Sequence, residues 1–407
     1  MPRTSAYHGG VLVLNQLPSY GEALDPDDIA HFDVAAARRT EELLRSCPVH
    51  APTRLHELPA LAAQLGLGRV FIKDESTRLR LGSFKALGGA YAVLRLFLEE
   101  AARQLEHSVE PGQIGDPEVR AIASRFTVAC ATDGNHGRSV AAGARFLGAR
   151  AVIYMHEGVS EARVDAVRQL GAKVRRIPGV YDDAVEAAAR EAGANGWTVV
   201  SDTSWPGYER IPKIVAQGYT VMVQEALRDL PAPLSHVFIQ AGVGGLASGV
   251  AAHLALVYGA SRPSVTIVEP LRAACLYASH ESGHPVRIPV REPTLMAMLE
   301  CHSPSLVAWR VLSRMADAFM TVDEEDAVRA MRRLAEPCGS DPAIVAGESG
   351  GAGLAGLTVA AGDPEMRAQL KLTHDSSVLL FNTEGATDPQ AYRRIVGRAA
   401  AEVAGGR

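Results

Sequence analysis

The sequence predicts an α/β protein built on parallel strands, and three observations carry that expectation. From residue 127 to 268, short apolar runs of strand type alternate with helical stretches, the pattern of βαβ units. Glycine-bearing loops at 132–137, 241–245 and 382–385 sit at the carboxyl ends of such runs. The chain has 407 residues, 47% of them hydrophobic and 21% charged, enough for a full core in two domains or one large domain with an inserted lobe.

The elements are expected in this order. Val11–Leu14 is a short apolar run, and Asp25-Pro-Asp-Asp28 starts a helix that runs to Ser46, because carboxylates favour a first turn. Pro48 stops it. A short helix, 58–65, ends at Gly66 and Gly68, and 69–73 is a strand. After Gly82 a helix covers 86–105, followed by a charged linker at 106–117. Then come strand 127–131, helix 138–147, strand 148–154, helix 160–171, strand 173–177, helix 181–194 and strand 197–200. Beyond the loop 201–208 lie helix 211–230, strand 236–240, helix 246–258 and strand 264–268. A glycine-rich turn at 347–352 leads into a helix, and strand 377–381 runs into the loop 382–385.

Bulk properties exclude several classes. A net charge of −5, with no basic run interleaved with aromatics, gives no sign of a nucleic-acid or membrane partner. Residues 1–6 lack the cationic and apolar regions of a leader, and no apolar run reaches about 18 residues. The five cysteines (Cys47, Cys130, Cys275, Cys301, Cys338) are scattered and odd in number, which fits free thiols in a reducing cytoplasm. The sequence leaves open whether Cys275 and Cys301 approach each other.

Chemistry first surfaces at Leu81-Gly-Ser-Phe-Lys85-Ala-Leu-Gly-Gly89. The chain has five lysines against 36 arginines, and Lys85 stands among small residues at a helix start. A lysine that forms a Schiff base must be able to lose its proton, which arginine practically cannot do. Gly242-Val-Gly-Gly245 offers backbone N–H groups at a second helix start and suits a phosphate. It is neither a dinucleotide fingerprint nor a Walker loop. Asp133, Asn135 and His136 in one loop, and Thr383 and Glu384 in another, supply polar groups that a purely structural turn does not need.

Taken in order, these motifs resemble the fold type II family of pyridoxal-phosphate (PLP) enzymes, over about residues 45–390. Within it, 131–138, 202–208, 240–245, 347–350 and 383–388 are most similar to the diaminopropionate ammonia-lyases. The resemblance implies a tryptophan synthase β-like fold: two open α/β lobes with the cofactor between them. A large PLP-binding domain would take 1–90 and 203–407, and a smaller inserted domain 91–202, with the Asp133/Asn135 loop. Lys85 would hold PLP and act as a base, and Asn135 would meet the ring hydroxyl. Gly242, Val243, Gly244, Gly245 and Leu246 would bind the phosphate, and Thr383 would face the pyridine nitrogen. Asp133 and Asp202 would lie on the substrate side, with Asp133 and Lys85 the bases for the D and L isomers. The implied reaction is α,β-elimination from 2,3-diaminopropionate to pyruvate and ammonia, in a cytoplasmic homodimer.

The stretch 294–302 departs from the ammonia-lyase pattern by placing Met298, Glu300 and His302 where small residues are expected. Two other readings therefore stay open. One is a related PLP lyase or β-replacement enzyme acting on another β-substituted alanine, and the other is a catalytically silent homologue that binds PLP or an amino acid. Glu300 and His302 alone do not make a metal site.

Overall fold

A computed structural model describes residues 10–405 of the protein. The absence of a leader pattern in 1–6 concerns residues outside that range. The strands are β1 (Leu12–Leu14), β2 (Arg54–Glu57), β3 (Arg69–Asp74), β4 (Thr127–Ala131), β5 (Arg150–His156), β6 (Lys173–Ile177), β7 (Thr198–Val199), β8 (His236–Gln240), β9 (Ser264–Pro270), β10 (Ala318–Val322) and β11 (Ser377–Asn382). They form two sheets, and each sheet belongs to one of two compact units.

The first unit takes the N-terminal residues as far as Leu24, Arg54–Asp74, and the chain from Asp229 onward. Its seven-stranded sheet has the order β1-β10-β9-β8-β11-β3-β2, parallel from β10 to β3 and closed at both edges by an antiparallel strand. β8, β10 and β11 are buried along their whole length, as strands covered on both faces must be, and they read as continuous apolar runs for that reason. Val70, Ile72, Phe238, Val268, Met320, Val378 and Leu380 sit at the centre of this core.

The second unit comprises Asp25–Thr53 and Glu75–Arg228. Its sheet is fully parallel, in the order β6-β5-β4-β7, with Ala131 opposite Tyr154 and His156 opposite Ile177. The helices Lys85–Leu105 and Arg210–Asp229 approach closely because their meeting positions are glycines. A Cβ on Gly88 would stand 2.5 Å from the Tyr219 ring, and one on Gly218 would stand 2.4 Å from the Leu87 carbonyl oxygen.

The α/β expectation holds, and the differences lie in particular elements. The long helix expected from Asp25 is broken into Pro26–Phe32 and Val34–Leu44 at Asp33, whose carboxylate accepts from Ala36 N–H at 2.6 Å and caps the second piece. The charged linker holds a 3₁₀ turn, Pro111–Gly115, and part of it opens the helix Pro117–Ala123. β2, β10 and the helices Leu306–Met315 and Glu324–Ala335 were not anticipated. No helix among the described residues is long and apolar enough to cross a membrane. The compact units change over at 24/25, 53/54, 74/75 and 228/229, and not at the expected 90/91 and 202/203.

Candidate functional site

In the second unit the chain reaches Lys85 through a strained turn. Leu79 and Arg80 both carry positive φ (48° and 58°) without being glycine, and Gly82 follows at 80°. Such backbone persists only when its surroundings hold it. Here Arg78, fully buried, donates to Glu75 at 2.7 Å and to Glu225 at 2.6 Å, and Thr53 donates to Glu75 at 2.6 Å. A guanidinium forked between two carboxylates is the arrangement that keeps a buried charge satisfied. It fixes the turn just ahead of Lys85.

The Lys85 ammonium, four-fifths buried, pairs with Asp202 and lies over the Phe84 ring at 5.3 Å. Burial pushes the Asp202 carboxyl up, but the Lys85 ammonium outweighs it and holds Asp202 well below the usual carboxylate range. His136 places Nδ1 3.9 Å from Asp202, while Nε2 meets the Val200 carbonyl oxygen at 2.8 Å. Since a carbonyl only accepts, the ring proton sits on Nε2 and the Nδ1 lone pair faces the lysine–aspartate pair. Burial lowers the His136 imidazole further against the opposing pull of Asp202. Phe84 packs on Tyr219 with ring centroids 4.7 Å apart, and the buried Tyr219 hydroxyl has no hydrogen-bond partner among the described residues. Its hydroxyl is pushed above its ordinary range by burial.

The loop after β4 starts a helix at Asn135, which is buried. Thr132 Oγ1 accepts from the N–H groups of Gly134 and Gly137 at 3.0 and 3.1 Å, so the loop is capped from its own first residue. Asp133 points elsewhere than Asp202 does. Its Oδ1 lies 3.1 Å from Nε2 of His156, at the end of β5.

The first unit holds the remaining expected residues. Gly244 precedes the helix Gly245–Tyr258 with φ 96° and no side-chain cap, so the first-turn N–H groups of that helix are open to an anion. A Cβ on Gly242 would stand 2.8 Å from Cys301 Sγ, and one on Gly244 2.9 Å from Ala308 Cβ. Two residues before this loop, Gln240 is fully buried. Its amide nitrogen reaches the carbonyls of Ser349, Gly350 and Phe381 at 2.8–3.2 Å and the Thr383 hydroxyl at 2.9 Å. Because that hydroxyl accepts from Gln240, its own proton is free for an acceptor such as a neutral ring nitrogen.

The divergent stretch packs onto this loop, with Leu299 Cα 3.4 Å from the position of a Gly242 Cβ. Glu300 accepts from Thr294 N–H at 3.1 Å, and Met298 N–H donates to Ser349 at 3.2 Å. The charge of Glu300 thus serves its own segment. Cys275 and Cys301 are free thiols. Among the described residues no group of three or more metal-ligating side chains gathers.

Tyr219 and His156 escaped the sequence reading, and Gln240 entered it only as the first residue of the 240–245 stretch, without a role. A polar residue closing the apolar run His236–Gln240 was a usable signal for Gln240. Tyr219 lies in an apolar helix and gave none.

The model of the pyridoxal-phosphate dependent enzyme family matches residues 47–384. Diaminopropionate ammonia-lyase of Escherichia coli K12 is 38% identical over 372 residues, covering 90% of this chain and 92% of that protein. The crystal structure of the Escherichia coli enzyme in complex with D-serine has a TM-score of 0.86 at 35% identity and covers 95% of this chain and 96% of that one. Its complex with an aminoacrylate-PLP azomethine reaction intermediate gives 0.85 at 35% identity, over 96% and 98% of the two chains.

Proposed function

The chain belongs to the family of pyridoxal-phosphate dependent enzymes, and on that premise we propose that it converts 2,3-diaminopropionate and water to pyruvate and two molecules of ammonia. The observation that carries this reading is the Lys85–Asp202 pair.

The residues present fit the cofactor. The open helix start at Gly242–Leu246 suits its phosphate, the spare proton of Thr383 suits its ring nitrogen, and Asn135 would meet the ring hydroxyl. When bound, pyridoxal phosphate supplies an electron sink for the carbanion at Cα. Lys85 Nζ would hold it and take the Cα proton of the L isomer, and Asp133 would take that of the D isomer. Asp202 is kept ionised by a neighbouring ammonium, and the second amine of a diamine substrate is a cation of the same kind. Asp202 would pair with that amine in turn and hold its proton at the nitrogen until ammonia leaves. We further assign 1–90 and 203–407 to the larger cofactor-binding domain and 91–202 to a smaller domain, in a cytoplasmic homodimer that acts on a small amino acid.

Purified protein supplied with PLP is expected to show a near-visible absorbance band that disappears in Lys85→Ala. Lys85→Arg should lose it too while keeping a charge opposite Asp202, which separates lost chemistry from lost folding. No band in the native protein would sink the assignment. Pyruvate should form from D- and L-2,3-diaminopropionate in preference to serine and threonine. Preference for serine would move the protein to the related lyases.

A further inference from the structure

We propose that His136 determines specificity: its Nδ1 is a second acceptor, beside Asp202, for the β-ammonium of the substrate, and it selects a diamine over alanines that carry a β-hydroxyl or a β-halogen. The inference rests on the reading of Asp202 as the partner of that amine.

The ring is fixed by backbone. Val200 N–H donates to the Ala129 carbonyl at 2.8 Å and extends the β4–β7 pairing by one residue. The Val200 carbonyl in turn accepts from His136 Nε2 at 2.8 Å. A carbonyl only accepts, so the ring carries its proton on Nε2 and offers a lone pair at Nδ1. Asp202 stands two residues beyond Val200, and Tyr208 holds that stretch. Its hydroxyl accepts from Ser201 N–H at 3.1 Å and donates to the Val199 carbonyl at 2.8 Å. Imidazole and carboxylate are thus registered by the same short piece of chain.

His136 is 4% exposed, and its Nδ1 has no hydrogen-bond partner among the described residues. A buried acceptor that the chain does not satisfy calls for a donor from outside it. Burial lowers the imidazole below its ordinary value, which keeps Nδ1 an acceptor near neutral pH. Nδ1 stands 3.9 Å from Asp202 Oδ2, the same oxygen that receives the Lys85 ammonium. A nitrogen about 2.8 Å from both atoms would see them at roughly 90°, near enough to the tetrahedral spread of two ammonium N–H bonds for each to take one. A hydroxyl has one proton and satisfies one acceptor, and a halogen satisfies neither. Sites built to receive such donors reject analogues that lack them, because the buried acceptors go unpaired. The amine leaves as neutral ammonia with the C–N bonding pair, so His136 neither gives nor takes a proton.

Turnover of L-2,3-diaminopropionate, L-serine and 3-chloro-L-alanine by the PLP-loaded enzyme tests this. His136→Gln keeps an N–H donor for the Val200 carbonyl and removes the acceptor at Nδ1. It should lower the ratio of kcat/KM for diaminopropionate to that for either other substrate by about tenfold or more, the scale of a lost hydrogen bond to a charged group. Partial unfolding or poor PLP loading leaves such a ratio untouched. His136→Asn places an amide oxygen near the Nδ1 position and should recover most of the ratio. If His136→Gln leaves the ratios as they are, or lowers all three substrates alike, the proposal is overturned. If Asp202→Asn lowers the ratios and His136→Gln does not, His136 alone is misassigned. If the native enzyme makes no pyruvate from diaminopropionate, the substrate reading falls and the role of His136 falls with it.

Discussion

At the residue scale the Lys85–Asp202 pair is the charged centre of the proposed site. The carboxyl of Asp202 is depressed in the folded state, so the stabilisation that its charge provides is complete above the unfolded carboxylate value, about 3.9, and is lost as pH falls through the depressed folded value. In PLP-stripped protein, Asp202→Asn should lower stability by about 1–3 kcal/mol, less than for a fully buried pair because both partners keep some exposure. Urea melts should show that difference constant between about pH 8 and 5 and shrinking below about pH 4. A difference that grew in acid would show that Asp202 is not the ionised partner. Lys85 was legible in the sequence because lysine is scarce here and this one is ringed by small residues. His136 was visible only as a polar loop residue. Its aim at the pair is set by the Val200 carbonyl, 64 residues away, which no local pattern reports.

At the element scale, the glycine loop before the helix Gly245–Tyr258 needs its two outer glycines for different reasons. Gly242 is confined by a neighbour, Cys301 Sγ, whereas Gly244 is confined both by Ala308 and by its own left-handed backbone. Gly242→Ala should therefore weaken PLP binding and cost about 1–3 kcal/mol of stability, and adding Cys301→Ala should return part of both. Gly244→Ala should cost as much, and Ala308→Gly should not restore it, because the φ strain remains. Thermal melts and PLP titrations of the two pairs check this. Equal rescue in both would mean that space alone matters. The loop itself was readable because glycines between a buried strand and a helix form a local pattern. The segment 294–302 was readable only as a departure from a pattern, and its packing on Gly242 is a long-range contact.

At the scale of the whole molecule, membership of the PLP family extends over most of the chain, and the likeness to ammonia-lyase structures covers 95% of it. The homodimer assigned above predicts a sedimentation mass of twice 43.2 kDa, independent of PLP loading. A single species at 43.2 kDa would overturn that assignment.

The sequence by itself determined the α/β class and the loops that carry the chemistry, and it reached the cofactor through the resemblance that the order of those loops carries. The class and the loops depend on short-range signals: continuous apolar runs of buried strands, helical stretches between them, and glycine at strand ends. The edge strands β1 and β2, the break at Asp33, the Gln240–Thr383 hydrogen bond, the packing of Tyr219 on Phe84, and the contact of His156 with Asp133 were decided by tertiary structure alone. Each depends on a partner brought near by sheet register or helix crossing. Such proximity is a property of the folded chain and leaves no mark on its neighbours in sequence.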